Sequence, residues 1–85
     1  IQFVKNAGGD KTVLINNSGN LLVGTITDVP TAKLVVSSTT QGLLPPKMTT
    51  TQMNAISSPA EGLMIYDTVT HKLMVYDGTT WQACY

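Results

Sequence analysis

The sequence predicts a mainly β chain, a ribbon of short strands leading into a small head of one short helix and a β-hairpin. Three observations carry this reading. Short apolar runs recur about every ten residues in the first part. One capped-helix signal follows a Pro-Pro pair. The motif Leu63-Met64-Ile65-Tyr66-Asp67 is echoed ten residues later by Leu73-Met74-Val75-Tyr76-Asp77.

The ribbon comes first. Ile1-Gln2-Phe3-Val4, Thr12-Val13-Leu14-Ile15, Leu21-Leu22-Val23 and Ala32-Lys33-Leu34-Val35-Val36 are strand-length runs rich in β-branched residues. The breaks Asn6–Asp10 and Asn16–Asn20 are dense in Asn and Gly, which accept positive φ at little cost. Regular spacing of strand and turn signals predicts an all-β meander. A ribbon this thin leaves apolar side chains that it cannot cover itself. It reads either as an ordinary small sheet or as a shaft segment repeated around a threefold axis.

Pro45-Pro46 then removes two backbone donors and holds the chain extended, as a linker between ribbon and head. The expected division is 1–41 ribbon, 42–48 linker and 49–85 head. A helix is expected over roughly 50–56. Thr49 and Gln52 stand at capping-box spacing, so each side chain can serve the other's backbone N–H. Met48, Met53 and Ile56 form its apolar side, and Ser57-Ser58-Pro59 stops it. In the hairpin, the ten-residue echo places Leu63, Ile65, Leu73 and Val75 on one face, and Met64, Tyr66, Met74 and Tyr76 on the other. Both faces are apolar, one for the helix and one for a neighbouring subunit. Asp77-Gly78 is a turn signal that returns Trp81 to the sheet.

Composition points to self-association. A monomer of 85 residues buries only about 60–65% of its unfolded surface, and such domains usually need staples. Cys84 is the only cysteine and His71 the only histidine, so neither an intrachain disulfide nor a single-chain multi-histidine metal site can form. Charged residues are 12% of the chain, about half the roughly 25% of ordinary domains, as suits subunits that cover one another. A net charge of zero leaves no basic footprint for nucleic acid. No run approaches the ~18 apolar residues of a membrane span, and no signal-peptide pattern opens the sequence. The start at Ile1, inside a strand-like run, suggests a fragment of a longer protein. The short tail after Trp81 suggests a true C-terminus.

No catalytic set is visible, and no cofactor is expected. Asp67, Asp77 and Glu61 resemble a carboxylate pair in composition only. Asp67 and Asp77 each end a strand, where Asp commonly starts a turn. His71 reads as a solvated loop residue; three copies on a threefold axis would be the one route to a metal. Cys84 reads as a plain thiol, with an interchain cross-link as the alternative.

Gly24-Thr25-Ile26-Thr27-Asp28-Val29-Pro30-Thr31-Ala32-Lys33-Leu34-Val35-Val36 resembles the stalk repeat that precedes the heads of phage tail-fibre-like proteins. Thr40-Gln41-Gly42-Leu43-Leu44-Pro45-Pro46-Lys47-Met48-Thr49-Thr50-Thr51-Gln52 is similar to the motif leading into those heads. Pro59–Asp67, Lys72-Leu73, Tyr76-Asp77-Gly78 and Trp81 continue the match. Arg is common where this chain has Lys47, which keeps the charge without the planar fork. The family occurs in fibres of phages and large DNA viruses and in surface proteins of some bacteria. The resemblance implies an intertwined homotrimer in which each chain gives a strand ribbon to the stalk and a helix-plus-hairpin head.

The expected function is therefore structural: the C-terminal trimerising head of a virion fibre, joined to an upstream shaft and contributing to host attachment. The alternative is the receptor- or glycan-binding tip of a bacterial surface fibre. Leu63, Met64, Ile65, Leu73, Met74 and Val75 are expected to divide between the intrachain core and the threefold interface. Tyr66, Tyr76 and Trp81 are the candidate surface-binding platforms, with Trp81 also a candidate core plug.

Overall fold

A computed structural model describes residues 13–85. The strand expected at Ile1–Val4 and the Asn6–Asp10 break lie outside the described residues. The chain divides between Leu43 and Leu44 into two compact units.

The first unit holds β1 (Val13–Ile15), β2 (Leu21–Val23) and β3 (Leu34–Val36) in that order across one sheet. β1 and β2 pair antiparallel around the Asn16–Asn20 turn. Asn16 builds the turn, its Oδ1 accepting from the Ser18 and Asn20 amides at 3.0 Å each. β3 runs parallel to β2, which corrects the expected meander. Retracing a three-residue strand takes roughly 10 Å at about 3.3 Å per residue, well within the reach of the 24–33 connection. Connection length, not strand spacing, sets the direction of pairing. Asp28 fixes the connection, its Oδ1 accepting from the Asn16 and Asn20 side-chain amides at 2.8 and 3.2 Å. Val29-Pro30-Thr31-Ala32 closes a turn, with the Ala32 N–H donating to the Val29 carbonyl at 2.8 Å. Gly24 leaves β2 at φ +81°, and a Cβ there would collide with the Ser37 carbonyl oxygen.

The second unit is a four-stranded sheet ordered β4 (Lys47–Met48), β5 (Met64–Asp67), β6 (Lys72–Tyr76) and β7 (Trp81–Ala83). Lys47 and Met48, expected in the linker, form edge strand β4 parallel to β5. Pro46 can give only a carbonyl, and that carbonyl accepts the Tyr66 N–H at 2.8 Å. Helix α1 (Thr50–Asn54) carries both halves of the predicted capping box. The Thr49 hydroxyl accepts from the Gln52 N–H at 3.2 Å, and the Gln52 side chain accepts from the Thr49 N–H at 2.9 Å. The helix ends at Asn54, earlier than expected, with Ala55 as its cap. Asp77-Gly78 makes the predicted return: the Asp77 carboxylate accepts from the Thr79 and Thr80 amides at 2.8 and 2.7 Å.

The hairpin register corrects the predicted faces. Met64 pairs with Val75, Ile65 with Met74, Tyr66 with Leu73 and Asp67 with Lys72. Residues paired across strands share a face, so Ile65, Asp67, Lys72, Met74 and Tyr76 lie together, and Met64, Tyr66, Leu73 and Val75 lie opposite. The four-residue loop Thr68–His71 decides this. An even loop pairs residues of opposite parity, whatever repeat the strands carry. His71 ends the loop at φ +59°, the left-handed region that lets the chain reverse.

Candidate assembly face

Among the described residues the buried apolar side chains are Leu22, Met53 and Ile65, with Leu22 fully buried. Large exposed apolar side chains outnumber them, among them Leu43, Leu44, Met64 and Val69.

Helix α1 packs against β5. Met53, at 4% exposed, lies on the side of Ile65, at 2%. Asp67 locks that side. It is 1% exposed, and its carboxylate accepts from the Thr50 hydroxyl at 2.6 Å and from the Val69 and Thr70 amides at 2.8 and 3.3 Å. The Thr50 hydroxyl, foremost, and the loop amides hold the Asp67 carboxyl below the usual carboxylate range, against the opposing effect of burial. Asp77 is lowered too, chiefly by the Thr80 amide and then the Thr79 amide. Both carboxylates of the supposed acid pair are thus engaged with the chain's own donors.

The opposite side of the head sheet has no element of its own unit across it. Met64 there is 48% exposed, and Tyr66, Leu73 and Val75 are half-buried. Lys47 lies beside Tyr66 and Gln82 beside Val75, giving the row a polar rim. The structure therefore sorts the six predicted core and interface residues. Ile65 and Met74 face the helix; Met64, Leu73 and Val75 face outward; Leu63, just ahead of β5, is 37% exposed.

The first unit repeats the pattern. The row Leu14–Leu22–Val35 includes fully buried Leu22. The rows Val13–Val23–Val36 and Ile15–Leu21–Leu34 form the other face, with Leu34 51% and Val36 44% exposed. Leu43 and Leu44, where the two units meet in sequence, are also exposed.

The three predicted surface aromatics do not form one platform. Tyr66 belongs to the open row. Tyr76 and Trp81 are cross-strand partners on the helix side, in edge-to-face contact at 5.2 Å between ring centroids. They line an open groove of about 510 Å³ whose apolar part is Met53, Ile56, Pro59 and Met74. Asn54, Thr79 and Thr80 are its polar part. Periodicity gave no sign of this groove, because it joins the helix end to a turn distant in sequence.

His71 is exposed at the end of its loop, and Cys84 carries an exposed free thiol while its backbone N–H donates to the Leu73 carbonyl at 2.8 Å. Among the described residues no group of three His, Cys, Asp or Glu side chains is placed to hold a metal, and no helix is long and apolar enough to cross a membrane.

Short paired strands with an apolar side left open define a β-rich structural piece. A family model described as a phage tail like trimerisation region matches residues 22–85, and the chain belongs to that family. No curated protein matches the chain. No solved structure matches it.

Proposed function

We propose that this chain is the trimerising cap of a viral tail fibre, in which three copies close their open apolar rows around a threefold axis. The observation that carries the reading is the row Met64, Tyr66, Leu73 and Val75, left half-open opposite the helix. Leu63 borders that interface, while Ile65 and Met74 serve the intrachain core. Residues 1–41 serve as the stalk that joins the shaft; of the expected linker 42–48, Lys47 and Met48 belong to the head as β4, so the linker is 42–46 and the head 47–85. A cap suits such a stalk, because short strands set their register weakly and a folded head fixes it. It also covers strand edges that would otherwise pair at random. The work is mechanical, without a catalytic step, and its place is the virion. A bacterial surface fibre is the alternative setting.

Light scattering at two concentrations tests this. A mass near three times 9.1 kDa at both is expected. A mass near 9.1 kDa at both would overturn it.

A second reading, host attachment by the head, is favoured by the groove at Tyr76 and Trp81. It lies on the side of the sheet away from the proposed interface.

A further inference from the structure

We infer that the groove beside Trp81 is a binding site for a neutral saccharide; this deepens the attachment reading above and rests on it. The groove is lined by an aromatic pair, a short apolar floor and small polar groups. Trp81 is half-buried and braced edge-to-face by Tyr76, so one large ring is held in place without being fully covered. The Tyr76 hydroxyl donates to the Thr79 carbonyl at 3.0 Å and ties the brace to the turn. Met53 supplies the floor at the helix. Asn54, Thr79 and Thr80 supply the polar margin, and no charged side chain lines the groove.

This lining fits one chemistry. A pyranose ring presents a C–H face that packs on an aromatic ring and a rim of hydroxyls that need donors and acceptors. Small-molecule sites in general combine apolar area with a few placed polar groups. The Thr79 hydroxyl and the Asn54 carboxamide make no hydrogen bond with other described residues, so both are available to such a rim. Thr80 Oγ1 already accepts from the Gln82 side-chain amide at 2.8 Å, so this hydroxyl is engaged and is not counted in that rim. A peptide carboxylate or a phosphate would meet no cation here, so an anionic ligand is disfavoured. An open groove and a small contact area predict weak single-site affinity, with a dissociation constant on the order of 1 mM. Three copies on one fibre tip would raise the avidity.

Trp81 is the only tryptophan, so its fluorescence reports directly on the site. The probes are glucose, galactose, N-acetylglucosamine and their disaccharides, with N-acetylneuraminic acid as the anionic control. The expected result is a saturable change in emission with at least one neutral sugar. Asn54→Ala with Thr79→Val, both at exposed positions, is expected to weaken it at least tenfold while leaving the light-scattering mass unchanged. Silence with every neutral sugar, undiminished binding in the double variant, or response to the acidic sugar alone would each overturn the site. A trimer that binds no sugar defeats the groove and spares the cap. A monomer that binds sugar defeats the cap and spares the groove.

Discussion

Replacing Met64 by Asp separates the assembly face from the fold. Fully burying a methionine side chain is worth about 1.5–3 kcal/mol. Met64 is 48% exposed in the single chain, so covering the remainder contributes about 0.7–1.5 kcal/mol per subunit. Over three subunits that is about 2–4 kcal/mol. At about 1.4 kcal/mol per factor of ten, losing it weakens association at least about 30-fold. A carboxylate trapped in the interface adds its own desolvation penalty, so the loss is larger still. Met64→Leu conserves the apolar contact and is expected to keep the parent mass. Ile65, the next residue, is 2% exposed against the helix side, and Ile65→Ala costs about 2–5 kcal/mol of fold stability. Light scattering reads the mass and far-UV circular dichroism reads the strands. The reasoning fails if Met64→Asp keeps the parent's mass across dilution, or if Met64→Leu dissociates as readily as Met64→Asp.

Three further outcomes follow from local geometry. Thr49→Ala removes the N-cap acceptor and is expected to cost about 0.5–2 kcal/mol, read as a lowered melting temperature. Gly24→Ala combines a φ of +81° with a collision against Ser37, so it should destabilise the first sheet by more than about 1 kcal/mol, read by urea titration. Acid should loosen the head. The folded Asp67 and Asp77 carboxyls lie below their unfolded value of about 4, so their contribution is complete above that value and is lost as pH falls through the lowered folded values. Thermal melts from pH 7 to pH 2 are expected to show the decline below about pH 4, and Asp67→Asn to flatten it.

What the sequence revealed was what short spacing encodes. The Thr49–Gln52 capping box and the Asp77-Gly78 return each depend on residues within one turn of chain, and both formed as read. The hairpin strands were also legible, but their faces were not. The repeat suggested that Ile65 sides with Val75, whereas the even Thr68–His71 loop places it with Met74. The parallel pairing of β3 was hidden because a long connection permits either direction. Asp67 was visible as a turn starter, which it is through Val69 and Thr70. Its burial and its bond to Thr50 arise only once the helix settles on the sheet. Strand β4 escaped notice because Pro45-Pro46 beside it signals a linker, although a proline carbonyl can still join an edge.

The composition of the open row determines which surroundings its closure answers to. Lys47 is the one charged side chain on that side of the second unit's strands, so there is little for dissolved ions to screen. Joining through Met64, Tyr66, Leu73 and Val75 should therefore proceed alike in dilute and in strongly saline water. Temperature has the greater hold, because apolar association weakens as water cools. A particle carrying such a tip would meet ionic change with indifference and loosen in the cold.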